Sequence, residues 1–384
     1  MPDHDDLRQR LTALTRDLML IPSTEARPAE RQRIMAFIAN HLEALEAVTL
    51  HRYESNGYTS LVALPQGVSE PDMLLCGHVD VVEHPHIEAY GSSIVDGRIV
   101  GPGAGDMKGA VAILLELFRH WHTHHAGASL GLAITSDEER GGADGVQYLI
   151  NTVGLRCKRA IVPDGGSLND LTIEEQGVLH VKLKATGKAA HAAEPWLAEK
   201  ELHRLTHGVS RVSDHFGKLA PAQVSADGDH WFPTCSRSSM GTSNATINRV
   251  QDEAEAIIDL RFPPPRTVHS VIDELTRLVG PLIVIEPLMT AEPTHLDPDP
   301  VFCQVTEQVT GRPVRLVKAS GGSDARFMRL AGIPVNLSRP LVGNLHAQDE
   351  WIDIGSMVSY YRLCDAYLGR KLGGLEGVNR AAKD

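Results

Sequence analysis

Histidine and acidic side chains stand just beyond a series of short apolar runs. His78 and Asp80 follow MLLCG, Glu138 and Glu139 follow LGLAIT, and Asp164 follows RAIVP. His346 comes after PVNLSR and the loop PLVGNL, and Asp106 lies in the Gly-rich stretch GPGAGDMKG. Neutral imidazole and carboxylate are the donors that zinc, cobalt or manganese accept, and no cysteine is placed to compete. Two ions roughly 3.5–4 Å apart require a bridging carboxylate. Residues two apart in an extended segment share a face, so Asp80 can support the second ring nitrogen of His78. Glu138 and Glu139 are adjacent and point differently, which lets one bind metal while the other stays free as a base.

The elements that must position these groups follow from hydrophobic periodicity. Leu11, Leu14 and Leu18 recur at helical spacing, as do Ile34, Phe37, Ile38 and Leu42. LVALP, MLLCG, LGLAIT and RAIVP read as buried strands, alternating with helices in AVAILLELFRHW and GVQYLIN. That alternation predicts a mostly parallel sheet with helices on both faces. Ligands in such sheets bind beyond the carboxyl ends of the strands, where the polar residues above stand. Near Glu175 the pattern changes. GVLHVKLKAT alternates at period two, followed by a helix in LHRLTHGVSRVSDHF, strands in SNATINRV and EAEAIIDLRF, a helix in VHSVIDELTRLV and a strand in LIVIEP. This β-α-β-β-α-β order is that of a ferredoxin-like α+β domain. Alternating α/β character then returns: a helix in VFCQVTEQVTG, a strand in VRLVK, a helix in DARFMRLAG, the strand PVNLSR and a last helix from about Ile354. The expected organisation is an α/β domain in two parts, 1–175 and 289–384, interrupted by an inserted domain at 176–288.

Composition bounds the function. The chain has 384 residues, enough for two cores, with 42% hydrophobic and 22% charged residues. No apolar run approaches the roughly 18 residues of a membrane span, and the acidic start MPDHDDLRQRLTAL is unlike a signal peptide. A cytoplasmic location is the expectation. A formal net charge of -12 argues against nucleic acid or an anionic membrane as partner. Cys76, Cys157, Cys235, Cys303 and Cys364 are odd in number and widely spaced, which suggests reduced packing thiols. The histidine-rich RHWHTHHAG has no carboxylate support and reads as a solvated helix end. GPGAGDMKG lacks the GK[ST] ending of a phosphate-binding loop.

With these residues in view, the chain resembles the acetylornithine deacetylase / succinyl-diaminopimelate desuccinylase family, which includes aminoacylases, glutamate carboxypeptidases and carnosine-type dipeptidases. The matches are GHVDVV, GPGAGDMKGA, TSDEERGG, PDGGS, GKAAHAA, SGGSDARF and NLHAQDEW, spread over residues 78 to 351. The resemblance implies two divalent ions, zinc first, with cobalt or manganese as alternatives. Asp106 would bridge them, His78 and Asp164 would complete one site, and Glu139 and His346 the other. Glu138 would be the general base, acting on a metal-bound hydroxide that attacks the amide, with Asp80 behind His78. The peptide bond between Asp106 and Met107 would be cis. His191 would reach the active site of a partner subunit in a homodimer built through the inserted domain. Asn248, Arg261 and the segment Ser320, Gly321, Gly322 and Ser323, ending at Asp324, would contact a small amide substrate bearing a carboxylate.

Two positions depart from the family pattern. Asp164 stands where the deacylases mostly carry Glu, and Gln251 replaces the proline of an Asn-x-x-Pro segment. The reading is therefore an N-acyl amino acid hydrolase of the deacetylase or desuccinylase type, with a dipeptidase or aminopeptidase as the alternative. A silent binding protein on the same scaffold has no physical reason to keep Glu138 beside a full ligand set.

Overall fold

The computed structural model describes residues 4–125, 127–220, 230–243 and 246–373. Within these the chain divides into two compact units. One comprises Met1–Ile173, Leu296–Val317 and Ser323–Asp384; the other comprises Glu174–His295 and Lys318–Gly322. The short stretch Lys318–Gly322, which the sequence assigns to the last α/β segment, thus belongs with the second unit.

The first unit is built on a six-stranded sheet in the spatial order Val48–Ser55, Tyr58–Pro65, Leu130–Thr135, Met73–His78, Arg159–Val162, Val335–Leu337. The last four strands run parallel to one another, and the first two form an antiparallel edge. Successive side chains of a strand point to opposite faces. Leu75 therefore joins one apolar cluster, while Leu74 and Cys76 join another on the opposite side. The first cluster packs under the helices His4–Met19, Gly109–His124 and Ile354–Leu372. Ala110 to Phe118 of the central helix are buried on every face, as a helix covered by two others must be. The opposite cluster takes Val146, Leu149 and Ile150 from one short helical segment, and Ala325 and Met328 from another. The fold class is the expected one: a mostly parallel α/β sheet covered on both faces.

The second unit has the order strand, helix, strand, strand, helix, strand. Its antiparallel sheet runs Thr234–Gly241, Glu253–Phe262, Gly177–Thr186, Ile283–Ala291, the ferredoxin-like arrangement. Val181, Leu183, Ala256, Ile258 and Leu260 face Leu205, Val209, Val212, Val271 and Leu275 of the helices Glu201–Gly217 and Val268–Val279. One strand is not where the sequence puts it. The edge strand is TCSRSSMG at Thr234–Gly241, and of the described residues of SNATINRV only Arg249–Val250 pair as a strand. The edge strand is mostly exposed and carries a register shift between Arg237 and Ser239, so it has no apolar alternation to read.

All five cysteines are free; Cys76, Cys157 and Cys364 are buried. No helix among the described residues is long and apolar enough to cross a membrane.

Candidate metal centre

Four parallel strands end at one edge of the first unit, and each hands over a polar group. His78 is the last residue of Met73–His78. Glu138 and Glu139 open a short 3-10 turn after Leu130–Thr135. Asp164 follows Arg159–Val162, and the segment after Val335–Leu337 carries Arg339 and then His346. Asp106 sits in the turn that precedes Gly109–His124, and the Asp106–Met107 peptide is cis.

Two groups of three ligand-type residues converge there: His78, Glu138 and Asp164, and Asp106, Glu139 and His346. The ligand atoms within each group lie within 4.8 Å of one another. Asp106 joins the groups. Its Oδ1 lies 3.2 Å from His78 Nε2, and its Oδ2 lies 3.3 Å from His346 Nε2. His346 Nε2 is also 3.5 Å from Glu139 Oε2. Glu138 Oε2 stands 4.0 Å from His78 Nε2, and no hydrogen bond holds its carboxylate among the described residues.

Asp80 supports both sides. Its backbone oxygen and Oδ1 lie 3.2 and 3.4 Å from His78 Nδ1, and its Oδ2 accepts the Glu139 N–H at 2.9 Å.

The electrostatics call for cations. Burial, then the charge of Asp106, pushes the Asp164 carboxyl up to about 7. Burial likewise lifts Glu138 well above the usual carboxylate range. Burial opposes ionisation of Asp106, yet the hydrogen bonds to His346 and His78 hold it far below its ordinary value. Hydrogen bonds to Asp106 and Glu139 raise His346 to about 10. Buried Glu139 Oε1 has no hydrogen-bond partner among the described residues. Carboxylates crowded away from water, one of them with an unused oxygen, and facing two imidazoles fit a pair of divalent ions.

Several residues of this site escape a reading of the sequence alone. Glu350, buried four positions after His346, accepts the N–H groups of Gly105 and Asp106 at 2.7 and 2.8 Å with one oxygen. Its other oxygen accepts the His346 N–H at 3.3 Å. Asp137 takes the N–H groups of Asp144 and Gly145 at 2.7 and 2.9 Å, fixing the loop behind Glu138 and Glu139. Lys108 is fully buried and donates to the Ile21 carbonyl at 2.7 Å. Arg339 is mostly buried, with Nη1 3.7 Å from Asp164 Oδ1 and Nε without a partner. The only sequence cue to any of them is proximity to a ligand, which many inert residues share.

The remaining candidates are divided between the two units. Ser323 lies in the first unit, buried, with its Oγ accepting the Ala325 N–H at 3.3 Å, whereas Ser320, Gly321 and Gly322 fall in the second. Asp324 precedes the helix Ala325–Leu330 without capping it, and its Oδ1 is buried and unpartnered. In the second unit His191 pairs with Arg249 across two short strands, and the Asn248 carbonyl accepts the Ala192 N–H at 2.8 Å. His191 is exposed, and its Nδ1 accepts the Ala193 N–H at 3.1 Å. Arg261 is bound to Asp259 in a two-pronged pair, Nε at 2.7 Å and Nη2 at 2.9 Å. The histidine-rich stretch forms the end of the helix Gly109–His124, with His125 just beyond it. His120, His122 and His124 lie within Gly109–His124, and His122 Nε2 lies 3.0 Å from the Leu130 carbonyl.

A strand-edge cluster of imidazoles and carboxylates around a shared aspartate, on this two-unit fold, defines a metal-dependent hydrolase acting on amide bonds. The chain belongs to peptidase family M20/M25/M40, whose model matches residues 74–369. It is 29% identical to a succinyl-diaminopimelate desuccinylase of Thioalkalivibrio sulfidiphilus over 374 residues, covering 90% of this chain and 92% of that one. A protein of the same name from Xylella fastidiosa is 28% identical, covering 91% and 96%. Among solved structures, human carnosine dipeptidase 1 superposes with a TM-score of 0.76 at 14% identity, over 96% of this chain and 97% of that one. An M20 family metallo-carboxypeptidase of Sulfolobus solfataricus gives 0.75 at 17% identity, over 95% and 99%. These two likenesses speak to the fold.

Proposed function

We propose that this chain hydrolyses the amide bond of an N-acyl amino acid, in the manner of a deacetylase or desuccinylase. Two divalent ions would be held by His78 and Asp164 on one side, Glu139 and His346 on the other, and Asp106 between. The observation that carries this reading is the divided carboxylate of Asp106, with one oxygen toward each histidine at 3.2 and 3.3 Å. Zinc suits the donor set first, and cobalt or manganese accept the same one. When bound, such ions polarise a scissile carbonyl and make a water acidic enough to attack it near neutral pH.

Glu138 takes the proton from the attacking water and returns it to the departing amine. Its carboxylate is suited to this because it faces the cluster and no hydrogen bond ties it to other described groups. Asp80 holds the ring of His78 in place and fixes the Glu139 backbone. His191, acting across a homodimer formed through the second unit, donates a hydrogen bond to the developing oxyanion. Asn248, Arg261 and the Ser320 to Ser323 segment contact the polar ends of the substrate, Arg261 only by leaving Asp259. The relatives named as desuccinylases support the deacylase reading. Asp164, shorter than the family's usual Glu, favours a dipeptidase as the second reading.

The test is a panel of N-acetyl and N-succinyl amino acids and dipeptides, assayed with several divalent metals, for the parent chain and Glu138→Ala. The proposal predicts turnover of an N-acyl amino acid that Glu138→Ala abolishes while metal content stays near that of the parent. Loss of both ions from Glu138→Ala would make Glu138 a ligand. Turnover untouched by exhaustive chelation would remove the metal mechanism.

A further inference from the structure

Arginine is always charged and carries five N–H donors in a rigid fork. A guanidinium drawn away from water is costly unless an anion faces it. Two arginines of this chain are candidates to hold the carboxylate of an N-acyl amino acid, and they differ in what they have left to offer. Arg261 has its Nε and Nη2 occupied by Asp259 at 2.7 and 2.9 Å. Arg339 has not. Its side chain is only 16% exposed, its Nη1 stands 3.7 Å from Asp164 Oδ1, outside hydrogen-bond range, and its buried Nε has no partner.

Its place in the fold adds a reason. Arg339 leaves the end of Val335–Leu337, the outer parallel strand, so it reaches the same sheet edge as the ligands. It is anchored from both directions. The Ser338 carbonyl accepts the hydroxyl of buried Tyr360 at 2.5 Å, and the Leu341 N–H donates to Ser356 Oγ at 2.9 Å. The backbone on either side of Arg339 is thus tied to the helix Ile354–Leu372, and the guanidinium is presented without having to order a loop. An unspent fork beside a metal ligand, on fixed backbone, is the arrangement a planar carboxylate pairs with in two-pronged fashion.

We infer that Arg339 is a specificity-determining residue that binds a substrate carboxylate lying close to the scissile amide. This rests on the amide-hydrolase reading above and narrows it. Among the described residues Asp164 is the anion within 4.0 Å of Arg339; once cations take up its charge, the guanidinium is left to pair with a carboxylate of the substrate. The carboxylate can come from two places, the amino acid or a dicarboxylic acyl group, and both present the same planar anion.

The experiment compares Arg339→Ala and Arg339→Lys with the parent chain, loaded with zinc. The substrates are N-acetyl and N-succinyl amino acids and their counterparts with one carboxylate replaced by a carboxamide. Truncating one partner of a buried charged pair weakens binding by about 30-fold or more. Arg339→Ala is therefore expected to raise KM by that factor for the acid and to leave KM for one carboxamide nearly unchanged. The carboxamide that becomes indifferent to the substitution identifies which carboxylate Arg339 holds. Arg339→Lys, keeping the charge but not the fork, restores part of the preference. Metal content, read by elemental analysis, stays at the parent value. The inference is overturned if Arg339→Ala keeps the parent's acid-over-amide preference, or if it loses a metal ion and depresses kcat equally for every substrate. A parent chain that cleaves none of these compounds removes the proposed function and this inference together, whereas an active parent with unchanged selectivity in the variant removes the inference alone.

Discussion

Glu350 is bonded to the backbone of Asp106: its Oε1 accepts the Asp106 N–H at 2.8 Å, and its Oε2 reaches the His346 N–H at 3.3 Å. One buried carboxylate thereby ties the turn bearing the shared aspartate to the loop bearing a histidine from a distant part of the chain. Supporting groups of this kind typically change metal affinity by about 10–100-fold when removed. Glu350→Ala should lower affinity for the ion beside His346 by that order, measured by competition with a chromogenic chelator. Glu350→Gln, which keeps an acceptor oxygen, should lose less. Equal affinity in all three proteins would assign Glu350 a purely structural part.

Gly142 has φ near +67°, and a Cβ there would lie 2.3 Å from Asp324 Oδ1. Gly142→Ala must therefore bear a left-handed backbone, costing about 1–2 kcal/mol, together with displacement of a buried acid. Thermal unfolding should move to lower temperature, and activity should fall because Gly142 closes the turn that carries Glu138 and Glu139. Unchanged melting would mean that the turn relaxes freely.

Glu116 lies away from the metal cluster, on the helix Gly109–His124, and accepts from Arg10 Nε at 2.8 Å. Burial opposes its charge, but the hydrogen bonds of His41 and Arg10 prevail and hold its carboxyl at about 2, down from 4.5. A depressed folded value means that this stabilisation is complete above about 4.5 and is lost as pH falls toward 2. Glu116→Gln should cost about 1–3 kcal/mol at neutral pH, with the gap from the parent closing through that acidic window. Denaturant titrations at a series of pH values check this; a gap independent of pH would contradict the charged pairing.

If His191 works across a dimer, chains carrying His191→Ala and chains carrying Glu138→Ala should complement each other. A random mixture forms dimers in which one active site is intact, so about a quarter of parental activity is expected if all chains pair at random. Proven mixed dimers with no recovered activity would exclude the trans role.

The parts legible in the sequence are those with a physical period or a repeated position. Buried runs such as MLLCG and LGLAIT announce the parallel strands, and the polar residues just beyond them announce the site, because open sheets place their chemistry there. The ferredoxin-like order was readable from GVLHVKLKAT and EAEAIIDLRF, whose alternation matches a one-sided sheet. The edge strand Thr234–Gly241 was not, since an edge with both faces largely wet places no demand on residue type. Glu350 and Arg339 stayed hidden for another reason. Their meaning depends on which backbone N–H or carboxylate ends up beside them, a fact created by the fold and not by spacing. Arg261 shows the converse: its type suits carboxylate binding, yet its neighbour Asp259 two residues away already occupies it.

The most direct measurement is a crystal grown with zinc, with anomalous difference density collected at the zinc edge. The account predicts two peaks flanking the carboxylate of Asp106, one beside His78 and Asp164, the other beside Glu139 and His346. A map in which Asp106 touches no peak, or in which these side chains point to separate places, would contradict it.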